Sequence, residues 1–309
     1  MVFKKNIFVF SLLFHGIIFC RAQSDVAYDH IMAAATYYNP SFAGANGKTS
    51  FSFNFNNNDN KNKPDNNSYF FSMDTYTRML RGGIGILGNF NQTHNQLKSS
   101  MYLGAIYAPK ISLENNINIS PSLKLGYVYN KDIVLYSADS ISFDSMIYGM
   151  DDYDISLGLL VNSDRFYAGV SVDHLMQPEV NCFDKGDFII RRKYIAQFGY
   201  HYAWNKNASS IWHLNLISQY QPYNSFIFLN DYFVSKKFPY HVGAGKYYYR
   251  LLFGAGYKYK FHPYDEHFAY VGFGVQNHAI TLGGGFEFLS TSYIPKTFEI
   301  SVKYVLNNY

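Results

Sequence analysis

The sequence predicts an all-β protein, an antiparallel transmembrane β-barrel of about 14 strands (about 12 to 16 as the range) with a short N-terminal segment outside the wall. Three observations predict it. From Thr49 onward, apolar and polar side chains alternate in segments of about ten residues, the length a tilted strand needs to cross a bilayer. The 309 residues include 30 Tyr and 28 Phe, an aromatic content of 19% that suits girdles at two membrane interfaces better than a soluble core. The long connections between segments, counted along the chain, fall on one side.

The chain begins with an export signal. Lys4 and Lys5 precede an apolar run over residues 7–19, and Cys20-Arg21-Ala22 closes it, so residues 1–22 read as a signal peptide with cleavage after Ala22. A lipid anchor at Cys20 is disfavoured because Phe19, not a small residue, precedes it. The whole chain has 26 Lys+Arg against 22 Asp+Glu; without Lys4, Lys5 and Arg21 the basic count falls by three and the mature chain is close to neutral. No basic tract remains, which excludes nucleic-acid binding. Cys182 is the only cysteine of the mature chain, so no intramolecular disulfide forms. No mature segment reaches about 18 apolar residues, so any crossing of a membrane is made by strands.

Residues 23–48 form an N-terminal periplasmic or plug segment, and residues 49–309 form the barrel. Ala33, Ala34 and Ala35 permit a brief helix that Asn39-Pro40 ends. Phe51, Phe53 and Phe55 then alternate with Ser50, Ser52 and Asn54, the first strand. Further strands are expected over residues 68–75, 83–91, 99–108 and 117–129. A hairpin follows: Tyr153, Ile155, Leu157, Leu159 and Val161 oppose Asp154, Ser156 and Gly158, with Leu160 as the exception. After the turn at 162–164, Phe166, Ala168, Val170 and Val172 oppose Tyr167, Gly169, Ser171 and Asp173. The remaining expected strands are 194–203, 211–220, 226–235, 240–247, 250–260, 267–276, 279–288 and 297–306.

That makes about fifteen, whereas a closed bacterial barrel needs an even number. The surplus strand is placed in residues 226–260, whose turns are the least clear. Three long connections are expected: the Asn-rich 56–67 with Pro64, the acidic 130–152 with Asp132, Asp139, Asp144, Asp151 and Asp152, and 174–192. All three are extracellular if the first strand rises from the periplasm, and the 162–164 turn lies opposite.

Ser171, Asp173 and His174 are the local candidates for catalytic chemistry. On a continuing strand Ser171 and Asp173 share a face and His174 points away, so the three make no relay. His262, Asp265 and His267 read as a polar turn beside Pro263 rather than a metal site. Gly243-Ala244-Gly245 and Gly283-Gly284-Gly285 lack the helix that follows a phosphate-binding turn, and read as relief of crowding in curved strands. Cys182 reads as a free thiol, and the acids of 130–152 do not follow the EF-hand spacing. No catalytic residue, cofactor or metal is expected.

Three stretches resemble the PorP/SprF family, outer-membrane proteins associated with type IX secretion in Bacteroidota. Tyr28-Asp29-His30, followed by Tyr38-Asn39-Pro40-Ser41-Phe42-Ala43-Gly44, resembles the family's opening. Residues 166–175, Phe-Tyr-Ala-Gly-Val-Ser-Val-Asp-His-Leu, with Gln177-Pro178, resemble its central motif. Glu299-Ile300-Ser301-Val302-Lys303-Tyr304 resembles its closing strand. The chain departs from the family at Phe298, where His is common, and at Gly283-Gly284-Gly285-Phe286-Glu287, where a Gly-Tyr-Ser-Tyr-Asp-like run is usual.

The resemblance implies a non-enzymatic outer-membrane barrel, with the bilayer lipid around it, that assists secretion or surface anchoring of a large protein such as a gliding-motility adhesin. The partners implied are the C-terminal region of that adhesin and type IX components. Asn39, Pro40, Gly44, Gly169, Ser171, Asp173, His174, Pro178 and Glu299 match the motifs and are expected to be structural. Asp139, Asp144, Asp151, Asp152, Cys182 and Asp184 are candidate partner-binding positions by their place in the long connections. The alternative function is a channel or transporter for small solutes or lipids.

Overall fold

A computed structural model describes residues 28, 33–60, 63–93, 98–139, 142–179, 189–203, 211–222, 225–242, 245–262, 266–277, 279–289 and 295–306. The expected export signal lies outside them. The strands run β1 (Thr49–Asn60), β2 (Lys63–Thr77), β3 (Gly82–Thr93), β4 (Lys98–Pro109), β5 (Ile111–Ser112), β6 (Asn118–Asp139), β7 (Ser142–Asn162) and β8 (Phe166–Asp173). They continue as β9 (Lys193–Ala203), β10 (Ile211–Tyr220), β11 (Ser225–Val242), β12 (Gly245–His262), β13 (Glu266–Gln276), β14 (Ile280–Leu289) and β15 (Pro295–Leu306). Neighbours in sequence pair antiparallel, except that β4 pairs with β6 and leaves β5 as a two-residue extension. The first strand pairs with the last from Thr49↔Leu306 to Asn58↔Thr297, so the sheet is closed. Among the described residues the wall therefore has fourteen strands, and no backbone edge faces the surroundings over the matched lengths.

The side-chain pattern is the inverse of a soluble sandwich. On β1, Phe51 and Phe53 are 36% and 43% exposed, while Asn54 is 0% and Asn56 3%. Val170 is 54% exposed beside Ser171 at 3%, and Ile300 is 42% exposed beside Ser301 at 1%. Large apolar groups facing outward all round a closed sheet, with amides and hydroxyls inside, fit hydrocarbon outside and a filled polar lumen. Leu160, the exception to the hairpin's alternation, is buried on the inner side.

The strand surplus fell where expected. Three anticipated strands over 226–260 are two, β11 and β12, because the register shift between Val234 and Lys237 is a bulge that keeps the ladder going. Gly243 and Ala244 lie outside the described residues.

Two of the anticipated loops are corrected to paired strand. The Asn-rich segment continues the β1–β2 ladder through Asn56↔Ser68 to Asn60↔Lys63, with the Asn57 amide donating to Asn67 Oδ1 at 2.7 Å. The acidic segment is the far end of the β6–β7 hairpin, paired from Asn130↔Met150 to Asp139↔Ser142. Both ladders continue by backbone pairing after the bilayer pattern ends, the first with the Asn57–Asn67 amide bond across it. The 174–192 connection is long, as expected, and carries one isolated bridge, Glu179↔Ile189.

The described residues ahead of Asn46 lie inside the barrel. A four-residue helix, α1 (Ala35–Tyr38), is capped by Asn39 and followed by a 3₁₀ turn, Pro40–Phe42, whose first position is filled by Pro40 with its preset φ. Tyr28, Ala34, Tyr37, Tyr38 and Ala43 join Phe70, Ile195, Phe226, Phe228 and Tyr270 from opposite arcs of the wall in one buried cluster. This segment, not a sheet-on-sheet core, fills the centre of the molecule.

Candidate functional site

Inside the lumen, the segment is held at three heights. Nearest β1, Gly44 has φ +64°, and a Cβ there would lie 2.6 Å from Gly83 Cα, so only glycine fits; its N–H donates to Asp74 Oδ2 at 2.9 Å. In the middle, Asn39 uses its side chain in two directions. Its Oδ1 accepts from Ser41 N–H at 2.9 Å, and its Nδ2 donates to the carbonyls of Leu159 and Val170, both at 3.3 Å. Ser41 Oγ meets Ser122 Oγ at 2.8 Å, and Ser171 Oγ donates to the Tyr38 carbonyl at 2.7 Å. Furthest along, Tyr28 donates to Asn89 Oδ1 at 2.6 Å, and Tyr38 donates to the Tyr28 carbonyl at 2.6 Å.

Two glycines of the wall make the room that the middle grip needs. A Cβ at Gly158 would lie 2.4 Å from Asn39 Oδ1, and one at Gly169 would lie 2.7 Å from Asn39 Nδ2. Asn39, Pro40, Gly169 and Ser171, expected to be structural, are thus brought together around a single turn.

A buried charge cluster sits beside this grip. Asp173 Oδ1 accepts from Lys124 Nζ at 2.9 Å, and its Oδ2 lies 3.1 Å from Lys193 Nζ. Lys193 also stands 4.6 Å above the Tyr37 ring, which ties the cluster to the N-terminal segment. His174 Nδ1 lies 2.8 Å from Asp154 Oδ2; a carboxylate only accepts, so that nitrogen carries the hydrogen. Tyr102 completes the group, with Lys124 at 5.2 Å from its ring and His174 packed edge-on at 6.1 Å.

The expectation that His174 points away from Asp173 is corrected. The strand ends at Asp173, and a left-handed φ of 59° at His174 turns its ring inward as well. No relay results even so, because the Ser171 hydroxyl is committed to Tyr38. Lys124, Lys193, Asp154 and Asp74 were not singled out from sequence. Their signal was available: each is a charge at an inward position of a strand whose outward face is apolar.

Elsewhere, Glu299 closes the seam between first and last strands. It is 1% exposed and accepts from Asn54 Nδ2 at 2.9 Å and Asn56 Nδ2 at 3.4 Å. Pro178 lies on the connection after β8, where its carbonyl accepts from Ile190 N–H at 2.9 Å. That contact folds the connection back, so that Ile190 packs against Val128 and Tyr102. Lys258 and Glu287 form a second buried pair at 2.7 Å on the opposite arc.

The candidate partner-binding positions are not gathered into one site. Asp151 is exposed on β7, opposite Tyr129. Asp152 Oδ2 instead accepts from Glu179 N–H at 3.0 Å, bracing the connection after β8. Asp139 and Asp144 lie on the paired far end of the β6–β7 hairpin; their side chains, and Cys182 and Asp184 altogether, fall outside what is described. His267 contacts Tyr257 and stacks on Tyr259 at 4.8 Å, while Asp265 lies outside the described residues. No group of metal-binding side chains occurs among the described residues.

Comparison with known proteins adds a family. The family model described as "Type IX secretion system membrane protein PorP/SprF" matches residues 20–304. No curated protein matches. Among solved structures, the chain is similar to BamA from Haemophilus ducreyi lacking POTRA domains 1–3, at 10% identity over 84% of this chain and 70% of that one, with a TM-score of 0.40. It is also similar to a Pseudomonas aeruginosa FadL homologue, at 9% identity over 88% and 94%, TM-score 0.46. A third is the TodX deltaS2S3 mutant monoaromatic hydrocarbon channel, at 11% identity over 89% and 94%, TM-score 0.49.

Proposed function

Since this chain belongs to the PorP/SprF family of type IX secretion system membrane proteins and folds as an outer-membrane β-barrel, we propose that it is a non-enzymatic accessory of that system. In this reading it assists secretion or surface anchoring of a large partner protein, such as a gliding adhesin, by engaging the partner's C-terminal region. The end bearing the β1–β2 and β6–β7 hairpins and the 174–192 connection faces outward from the cell. These elements supply the contact surface, with Asp139, Asp144, Asp151, Asp152, Cys182 and Asp184 as the positions on it.

One observation carries the choice over a solute channel: the lumen is occupied. Inward-facing Asn54, Ser156, Asn215 and Gln219 are each 0% exposed, and the N-terminal segment spans the space between opposite arcs. A passage for free solutes needs a wetted lining, whereas a barrel that holds a partner at its surface does not.

Purification from the native organism in mild detergent, with identification of the bound proteins, tests the reading. Co-purification of a large secreted protein together with other type IX components is expected. A barrel that purifies alone and passes a defined solute across a planar bilayer would replace this reading with transport.

A further inference from the structure

We propose that β6, β7 and β8 form a peptide-binding site for an uncharged turn of the type aromatic-Asn-Pro-Ser. The chain's own Tyr38–Ser41 occupies it here as a releasable plug, and the same turn carried on a separate chain binds in its place.

The site is specific rather than a generic packing surface. Both ends of the Asn39 side chain are used, the Oδ1 within the turn and the Nδ2 on two wall carbonyls contributed by neighbouring strands. The turn's backbone is read at the Tyr38 carbonyl by Ser171, and its hydroxyl by Ser122. Gly158 and Gly169 leave a recess that fits a planar amide and that any Cβ would fill. Asn39 and Ser41 are fully buried in it. A proline after the asparagine holds the turn's φ before binding, which lowers the ordering cost of a free peptide.

The occupant is also releasable. Every strand of the wall pairs with its neighbours without help from residues 33–48, so departure of the segment breaks no ladder bond. It joins β1 through Asn46, Gly47 and Lys48, which are exposed, and Gly47 has φ +68° with open space around its Cβ position. The polar groups it leaves behind are carbonyls, hydroxyls and the Lys124–Asp173–Lys193 cluster, which water can solvate; it also uncovers the wall side of the apolar cluster, Phe70, Ile195, Phe226, Phe228 and Tyr270, which the competing chain must cover again. On the secretion reading above, the partner protein supplies the competing turn; the identity of that occupant rests on the secretion reading, whereas the site stands on the lumen geometry.

The test uses reconstituted barrel and a synthetic peptide of residues 33–46. Deleting residues 28–44 is expected to give a folded barrel that conducts in planar bilayers, where the full chain is silent. The peptide closes it saturably, and a peptide carrying Asn39→Ala is about 10-fold weaker, as expected when two amide bonds to carbonyls are lost. A folded deletion variant as silent as the full chain, or equal block by both peptides, overturns the site. Should the deletion variant not fold, the full chain carrying Asn39→Ala, Ser41→Cys, Ser122→Cys and Cys182→Ser serves instead. It is expected to show openings only under reductant, and identical traces with and without reductant overturn the proposal. Failure of co-purification would count against the secretion role alone.

Discussion

Replacing Asp173 by Asn tests whether the lumen is filled, because the shape is kept and only the charge is removed. In the folded protein, Asp173 is the shared counter-charge of two lysines, with Lys124 at 2.9 Å and Lys193 at 3.1 Å. The side chains of Asp173, Lys124 and Lys193 are 1%, 5% and 2% exposed, so water does not screen them. Breaking a buried pair by removing one partner costs about 3–5 kcal/mol, whereas an exposed pair is worth about 0–1 kcal/mol. The variant is therefore expected to lose about 3–5 kcal/mol in reversible urea unfolding from lipid vesicles, followed by the fluorescence of Trp212 on the outer face in a Trp204→Phe background. Adding Lys193→Met should recover part of the loss, since one orphaned cation is then gone. A loss below about 1 kcal/mol would place the cluster in bulk water and refute the filled lumen.

Three further outcomes follow from the same geometry. Glu299→Ala removes two charge-assisted bonds across the β1–β15 seam and should cost about 3 kcal/mol, read as a lower temperature for loss of the compact band in semi-native gels. Gly44→Ala places a Cβ 2.6 Å from Gly83 Cα at a φ of +64°, so it should destabilise by more than about 1 kcal/mol; protease cleavage within residues 33–48 of the folded barrel should rise accordingly. Asp152→Ala removes the acceptor for Glu179 N–H and should speed proteolysis of the 174–192 connection, while Asp151→Ala, exposed and outward, leaves it unchanged.

Much of the wall was legible because its signal is local. A period of two and a lipid-facing apolar set require only neighbours in sequence, and they located Phe51 to Phe55 and the 153–173 hairpin. The hairpin ends were not legible for the same reason. Beyond the bilayer neither face of a strand meets lipid, so residues 56–60 and 130–139 lose the pattern while the ladder continues. The bulge between Val234 and Lys237 imitated a turn. His174 escaped the parity rule because its backbone leaves the strand region at that residue. Within the lumen, the motif residues were visible as residues but not as a site. Asn39 reaches carbonyls 120 and 131 positions away in sequence, and nothing local marks that pairing.

Hydrocarbon, not water, touches the outward side chains of the wall. Nitroxide labels placed singly at residues 170, 280, 281, 301 and 302, in a Cys182→Ser background in bilayers, report it by collision with oxygen and with a polar nickel chelate. Labels at Val170, Ile280 and Val302 are predicted to favour oxygen strongly, and labels at Thr281 and Ser301 to meet both reagents weakly. Preference for the nickel chelate at 170, 280 and 302 would mean that water surrounds the wall, and would contradict the account.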